Sequence, residues 1–163
     1  MVNLTIEKVL NEQMNREMNS FYLYLAMAAE LESHDFRGMA SWMQTQAKEE
    51  FEHAMKFIGY LQERGGKVTL EAIDKPHGKW ARPLAVFEAA LKHEHSITAS
   101  INDLMNQAVA EKDHATAGFL QWFVQEQVEE EANIEPIVRK LKVIGDQIPG
   151  LFYVDRELGM RGK

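Results

Sequence analysis

The sequence predicts an all-α protein, a four-helix bundle with one long crossover connection and a short fifth helix near its C-terminus. Four segments repeat apolar residues in alternating steps of three and four, which is the spacing of one face of an α-helix. Short polar joints separate the first two segments and the last two, whereas a long stretch with Gly and Pro separates the middle two. A chain of 163 residues suffices for one sizeable core. We therefore expect a single domain over residues 1–163, with the bundle at about 4–143 and the fifth helix at about 146–158.

The first two helical segments form a predicted antiparallel hairpin. Apolar positions run from Leu10 to Leu31 in the first segment and from Phe36 to Leu61 in the second. Only the polar residues 33–35 lie between them, which is too few for the chain to return to the far end of the first helix. The two helices should therefore lie side by side in opposite directions.

The last two segments form a second predicted hairpin. Their apolar positions run from Leu84 to Ala108 and from Thr116 to Leu141. The joint between them is again short, and Asp113 at its end is the type of residue that caps a helix N-terminus. We therefore expect the third and fourth helices to be antiparallel as well.

The connection between the two hairpins is long and irregular. Gly65 and Gly66 stop the second helix, and the third begins only at Pro83, with Pro76 and Gly78 between them. An extended chain of this length can run from one end of a bundle to the other. The second and third helices should therefore point in the same direction.

A short fifth helix is predicted after the bundle. The apolar pattern breaks at Gly145, and helical spacing resumes between Asp146 and Leu158. Pro149 fits such a helix only in its first turn. Because apolar residues here would be exposed on an isolated bundle, we expect them to be buried in an assembly. The alternative is that the fifth helix folds back on its own bundle.

The composition excludes several classes of protein. The chain has no Cys, which excludes disulfides, thiolate metal sites and a cysteine nucleophile, so any metal must be held by oxygen and imidazole nitrogen. Its 25 acidic and 18 basic residues give a net charge of -7, which argues against nucleic-acid binding. The longest apolar run, Phe21 to Ala29, is far shorter than the roughly 20 residues of a membrane span. With no signal-peptide pattern at the N-terminus either, we expect a cytoplasmic protein with no membrane partner.

Each of the four helical faces carries a carboxylate near its middle. These residues are Glu17, Glu50, Glu94 and the pair Glu126 and Glu130. Two positions of a helical hairpin face each other when their midpoint falls at the turn. The midpoint of Glu17 and Glu50 falls within residues 33–35, and that of Glu94 and Glu130 falls at Lys112. Both hairpins therefore place a pair of facing carboxylates near the middle of the bundle.

Buried carboxylates without a basic partner favour a metal centre. His53 follows Glu50 by three residues on the same helix surface, and Gln127 and Glu130 have the same spacing. No Lys or Arg occupies the four faces at this level, and each buried anion would cost several kcal/mol. Either these groups are largely protonated or cations lie among them. Two divalent cations bridged by Glu50 would neutralise four carboxylates, and oxygen ligands with one imidazole suit iron or manganese better than copper. A single Glu on such a face is commonly an edge residue, but four at one depth favour the metal hypothesis.

A second acidic group adjoins the first. It consists of Glu49, Glu126, Glu129 and Glu130, and Glu131 extends the run. A run of glutamates is usually a solvated helix face. Because Glu49 neighbours the bridging position, an additional and weaker cation site is nevertheless a reasonable hypothesis.

Two aromatic residues lie near the predicted centre. Tyr24 follows Glu17 by seven residues and Trp122 precedes Glu126 by four, so both share a face with a carboxylate. For each residue a core role is favoured for the ring, with hydrogen bonding or electron supply to the site as the second interpretation. The other histidines fall in turns or off the apolar faces and are predicted to be on the surface: His34, His77, His93, His95 and His114.

At these residues the sequence resembles the bacterial non-haem ferritins, and the likeness runs from Leu4 to Leu158. Together the segments that carry it are highly specific. They are LNEQMNRE at 10–17, KEEFEHAMK at 48–56, ERGG at 63–66, EKDHAT at 111–116 and FLQWFVQEQVEEE at 119–131. The resemblance implies a ferritin-like four-helix bundle whose short fifth helix surrounds the fourfold axes of a hollow shell of 24 chains.

The resemblance also implies a set of iron ligands. One iron of a ferroxidase centre would be held by Glu17, Glu50 and His53, and the other by Glu50, Glu94 and Glu130. Gln127 would line this centre and Tyr24 would stand beside it. A third iron would use Glu49, Glu126, Glu129 and Glu130. Phe51 occupies the position where bacterioferritins carry a haem-ligating Met, so no haem is expected.

The function expected from these features is iron storage. Ferrous iron would be oxidised by dioxygen at the two-iron centre, and the ferric product would be kept as a mineral inside the shell. Two alternatives remain open at this point. One is a two-iron oxidase or peroxidase that stores nothing, and the other is a metal-free helical bundle that acts as a binding module.

Overall fold

The computed structural model describes residues 1–161, and within that range the regular structure consists of five helices with no strand. The helices are α1 (Leu4–Ser33), α2 (Arg37–Glu63), α3 (Pro83–Ala110), α4 (His114–Ile144) and α5 (Ile148–Leu158). The predicted fold class is therefore confirmed. The predicted domain extends to residue 163, and its last two residues lie outside the described part. None of the five helices combines the length and apolar character needed to cross a membrane.

Contacts between helix ends establish how the helices run. The Val2 N–H donates to the Arg64 carbonyl at 3.0 Å, so the start of α1 lies beside the end of α2. The Asn3 amide donates to Glu111 at 3.2 Å, which places the end of α3 at the same end of the bundle. An ion pair of Arg64 with Asp113, at 3.1 Å, places the start of α4 there too. As predicted, α1 and α2 are antiparallel, α3 and α4 are antiparallel, and α2 and α3 are parallel.

Both hairpin turns reverse through a residue in the left-handed conformation. Asp35 has a φ of 63° and Lys112 a φ of 55°, so each joint turns within a few residues. The Asp113 carboxylate accepts from the Thr116 N–H at 3.1 Å, which confirms Asp113 as the cap of α4.

Two asparagines hold the long connection between Glu63 and Pro83 along α1. The Thr69 N–H donates to Asn11 Oδ1 at 2.7 Å, and Asn15 Nδ2 donates to the Thr69 carbonyl at 2.8 Å. The N–H of Glu71 then donates to Asn15 Oδ1 at 2.9 Å. Because these asparagines are buried, their amides replace the water that the extended backbone would otherwise bind. The connection therefore runs along the bundle, as its length predicts.

The bundle has two separate apolar cores with a polar layer between them. One core surrounds Leu31, Met43 and Phe87, and the other surrounds Met14 and Phe57. The polar layer consists of buried side chains from all four long helices: Glu17, Ser20, Gln46, Glu50, His53, Glu94, Gln127 and Glu130. The fold thus places the predicted carboxylates at one depth, away from both ends of the bundle.

The fifth helix packs on its own bundle. The expectation that its apolar residues are buried only in an assembly is therefore wrong for the residues that face the bundle. Leu151, Val154 and Leu158 of α5 are buried in the first core. A backbone N–H at the start of α2, that of Met39, donates to the carboxylate of Asp155 at 2.8 Å. This bond matters because no side chain of its own caps α2. The other side of α5 still exposes apolar residues, including half of Phe152.

Gly38 allows α5 to lie against α2, and we expect Gly38→Ala to weaken this contact. A Cβ at this position would lie 1.8 Å from the Asp155 carbonyl oxygen, so backbone would have to move. Overpacking of this kind costs about 2 kcal/mol, and the expected result is a lower midpoint of thermal unfolding for the metal-free protein. Gly59 is the matched control, because it also lies in α2 and a Cβ there meets nothing within 4 Å. Gly59→Ala should leave the midpoint unchanged or raise it, and an equal loss in both variants would contradict the packing argument.

Candidate metal centre

The four predicted carboxylates of the polar layer are almost completely removed from solvent. Glu17, Glu50, Glu94 and Glu130 are each at most 2% exposed. Their companions in the layer are also buried, including His53 at 3% and Gln127 at 4%. Each of the four long helices contributes one of these carboxylates, because the two hairpins bring residues at equal distances from their turns to the same depth.

The first hairpin contributes two carboxylates, each with a glutamine one turn earlier. Gln13 Nε2 donates to Glu17 Oε1 at 2.7 Å, and Gln46 Nε2 donates to Glu50 Oε1 at 3.0 Å. His53 follows on the same surface of α2, with Nδ1 at 3.5 Å from Glu50 Oε2. The second oxygen of Glu17 has no hydrogen-bond partner although it is buried. An unpartnered carboxylate oxygen of this kind is what a metal ligand leaves when no metal is present.

The second hairpin contributes Glu94 and Glu130, each held by a side chain from elsewhere in the bundle. The Tyr24 hydroxyl of α1 donates to Glu94 Oε1, and Gln127 Nε2 donates to Glu94 Oε2 at 3.1 Å. Gln46 Nε2 of α2 donates to Glu130 Oε2 at 2.7 Å. The same Gln46 nitrogen therefore links Glu50 of one hairpin to Glu130 of the other.

Burial and mutual repulsion set the protonation of these groups. Burial and the nearby Glu50 charge raise the pKa of Glu130 to about 9, and the same causes raise the pKa of Glu94 to about 7. They also raise the pKa of Glu17 well above its ordinary value. Burial acts on Glu50 in the same direction, but contacts with His53 and Gln46 outweigh it and lower its pKa. Among the described residues Glu50 is thus the carboxylate of the layer most readily ionised.

Two groups of ligand atoms are close enough to hold a cation. The first is Glu17, Glu50 and His53, and the second is His53, Glu126 and Glu130; within each group one atom per residue lies within 4.8 Å of the others. The donors are carboxylate oxygens and a single imidazole, the set expected for iron or manganese. Within residues 1–161 Glu94 joins neither group, because its two oxygens face Tyr24 and Gln127. The two groups share His53, so Glu17, Glu50, Glu126 and Glu130 lie around one imidazole.

The predicted second acidic group is more open than the centre itself. The Glu126 side chain is 25% exposed, with an oxygen 3.9 Å from His53 Nε2, and Glu129 is exposed. Glu49 is held by Arg161 near the C-terminus, whose Nη2 lies 2.6 Å from Glu49 Oε2. Burial raises the pKa of Glu49, and the Arg161 charge opposes this rise. Of the four predicted ligands, Glu126 and Glu130 join His53 in a group of ligand atoms close enough to hold a cation, whereas Glu49 pairs with Arg161.

Two predictions about aromatic rings need correction. Trp122 is not a core residue, because it is 39% exposed, and its ring instead lies edge-on to that of His53 at 5.4 Å between centroids. His93 is not on the surface: it is half-buried, with Nε2 at 2.7 Å from Ser20 Oγ, and burial lowers its pKa. The ring of Tyr24 is fully buried as the core interpretation predicts, and its hydroxyl also reaches Glu94.

Three residues that hold the centre in place were missed by the sequence interpretation. Gln13 and Gln46 each precede a buried glutamate by four residues, which is the spacing of side chains that meet on a helix. This repeated spacing could have predicted both hydrogen bonds from the sequence. Arg161 carries no such signal, because its position depends on how α5 folds back on α2.

Comparisons with known proteins match most of this chain to ferritins. The sequence model of the ferritin-like domain matches residues 7–144. A bacterial non-heme ferritin of Bacteroides fragilis is 42% identical over 161 residues, which cover 99% of this chain and 100% of that one. A bacterial non-heme ferritin of Campylobacter jejuni is 40% identical over 96% of this chain and 93% of its own. An open pore ferritin from the archaeon Archaeoglobus fulgidus superimposes with a TM-score of 0.97 at 44% identity and covers 99% of each chain.

Proposed function

The chain belongs to the ferritin family, and from this membership and the polar layer we propose that it oxidises ferrous iron with dioxygen and stores the ferric product. The mineral would lie inside a closed shell of identical chains. The resemblance of the sequence to bacterial non-haem ferritins implies 24 chains in this shell. The enzyme activity is that of a ferroxidase. Ferrous iron and dioxygen are its substrates, and iron is its cargo.

The observation that supports this proposal is that, within the described residues, four buried carboxylates have no Lys or Arg partner. Glutamines and a tyrosine donate hydrogen bonds to them, and one neighbouring imidazole, with His53 Nδ1 at 3.5 Å from Glu50 Oε2, offers at most one positive charge for the four. Such a layer is unfavourable unless cations or protons neutralise it. Two ferrous ions would supply the four positive charges that four ionised carboxylates require.

We assign the iron ligands as follows. One ferrous ion would take Glu17, Glu50 and His53, whose ligand atoms already lie together. The second would take Glu50, Glu94 and Glu130, with Gln127 lining the site. In this arrangement Glu50 would be a ligand of both ions, and oxidation of the two ferrous ions to ferric would reduce one dioxygen to the oxidation level of peroxide. Tyr24 holds Glu94 through its hydroxyl and would thereby orient that ligand.

A third cation would bind more weakly beside the pair, with Glu49, Glu126, Glu129 and Glu130 as ligands. The group of His53, Glu126 and Glu130 supports this location. We propose no haem, because Phe51 stands at the position where relatives that bind haem carry a Met. The protein would act in the cytoplasm, without a membrane or nucleic-acid partner.

Aerobic loading followed by size-exclusion chromatography tests storage directly. The metal-free protein is mixed in air with ferrous salt far in excess of three ions per chain, and iron is measured across the elution profile. We expect a large species whose peak carries hundreds of irons per shell. Turnover with only a few irons bound per chain would favour a two-iron oxidase that stores nothing. A small species without iron would contradict the proposal and leave a metal-free binding module.

A further inference from the structure

The side chain of Arg161 reaches the edge of the metal centre from the end of the chain. Its Nη2 donates to Glu49 Oε2 at 2.6 Å, and its Nη1 donates to Gln46 Oε1 at 3.0 Å. The guanidinium lies over the ring of Trp42 at 4.4 Å from the centroid. Stacking and two hydrogen bonds from the charged guanidinium, one to a carboxylate and one to an amide oxygen, together fix its position. Only 22% of the Arg161 side chain remains exposed.

Arg161 also fixes the orientation of a residue that holds two carboxylates of the centre. The Gln46 amide oxygen accepts from Arg161, so its nitrogen must point inward. That nitrogen donates to Glu50 at 3.0 Å and to Glu130 at 2.7 Å. The positive charge of Arg161 is therefore one glutamine removed from the proposed bridging ligand.

The contact with Glu49 occupies a carboxylate that a third cation would need. Arg161 brings one positive charge to Glu49, and a divalent cation would bring two to almost the same place. Arg161 Nη2 lies 2.6 Å from Glu49 Oε2, so a divalent cation on the same oxygen would lie within a few ångströms of the guanidinium and would repel it. A cation that binds here must therefore displace the arginine.

We propose that Arg161 competes with a third divalent cation for Glu49, so that the third site fills only when the Arg161 side chain moves away. This inference rests on the proposed function, because it assumes a third cation beside the pair. The two cations of the main centre do not compete with Arg161, since none of their assigned ligands touches it. The two strong sites can therefore fill while Arg161 is in place, whereas the third site fills only after Arg161 is displaced.

Zinc titration calorimetry of the metal-free assembled protein tests the competition without any redox chemistry. Wild type should bind two zinc ions per chain tightly and a third weakly. Arg161→Ala should bind the third about tenfold more tightly, which corresponds to about 1.4 kcal/mol, and any change in the first two affinities, which Arg161 reaches only through Gln46, should be smaller. A chain ending at Met160 should behave in the same way. Arg161→Lys keeps the charge but not both bonds, so its affinity for the third ion should lie between those of wild type and Arg161→Ala.

Arg156→Ala is the matched control, because Arg156 is an exposed arginine on α5 with no recorded contact to Glu49. It should leave all three affinities unchanged, and an equal gain in this variant would show that only net charge matters and would overturn the proposal. Adding Glu49→Gln to Arg161→Ala should abolish the gain, since Arg161 and the third cation compete for the Glu49 carboxylate. An unchanged third affinity in Arg161→Ala would also overturn it. Failure of wild type to bind any zinc would contradict the proposed function instead.

Discussion

The Glu50→Ala protein is expected to oxidise ferrous iron at least about 100-fold more slowly than wild type, a loss of about 3 kcal/mol in transition-state stabilisation. Glu50 belongs to one of the two groups of ligand atoms close enough to hold a cation, and its charge raises the pKa of Glu17, Glu94 and Glu130. Removing it takes away the proposed bridge between the two ions. It also removes the carboxylate of the layer that is most readily ionised. The initial rate in air, followed by the ferric absorbance after mixing, measures the effect.

Glu52→Ala provides the control for this experiment. Glu52 lies two residues further along α2 and is exposed, so its loss removes the same charge without touching the layer. It should oxidise iron at the wild-type rate. Circular dichroism and the elution volume should show that the Glu50→Ala protein is folded and assembled. If such a protein oxidised iron as fast as wild type, Glu50 would have no place at the centre.

The depth of the centre follows from the sequence because a short turn leaves little freedom in a helical hairpin. The midpoint of Glu17 and Glu50 falls at the first turn, and both are at most 1% exposed at one level. The midpoint of Glu94 and Glu130 likewise falls at the second turn, and both are at most 2% exposed. Only turn length and helix rise enter this argument, and neither depends on details of side-chain packing.

The side chain that faces inward on α4 was harder to predict. The alternating steps of three and four assign Glu126 to the apolar face, yet Gln127 is the buried residue and Glu126 is partly exposed. A straight helix has 3.6 residues per turn, so the inward direction drifts relative to a strict seven-residue pattern. An ambiguity of one position is therefore expected along a helix of 31 residues.

Contacts made by the chain end could not be predicted from spacing at all. The approach of α5 depends on Gly38 and on the bond between Met39 and Asp155, two contacts between the start of α2 and Asp155 of α5. Helical periodicity describes one helix at a time and contains no information on such contacts. The position of Arg161 follows from this docking, so its contact with Glu49 became visible only in three dimensions.

The protonation of Glu130 makes a second large effect testable in the metal-free protein. Its pKa is about 9 in the folded state, against an ordinary value near 4.5. Between these two pH values the unfolded chain is ionised while the folded chain keeps the proton, so unfolding releases a proton. Stability is therefore greatest below about pH 4.5 for this group and falls by about 1.4 kcal/mol per pH unit until about pH 9. Glu94, with a pKa of about 7, adds a smaller loss over the lower part of this range.

Glu130→Gln should remove this loss, because the amide keeps the shape of the side chain, is never ionised and can still accept from Gln46. We expect its thermal midpoint in the presence of a chelator to exceed that of wild type by about 5 °C or more at pH 9, and the two to converge near pH 5. Glu129→Gln, at the exposed neighbouring position, should follow the wild-type curve. A Glu130→Gln curve parallel to wild type would mean that Glu130 is not protonated in the folded protein. The layer would then be neutralised in some other way, and burial would no longer explain why it needs cations.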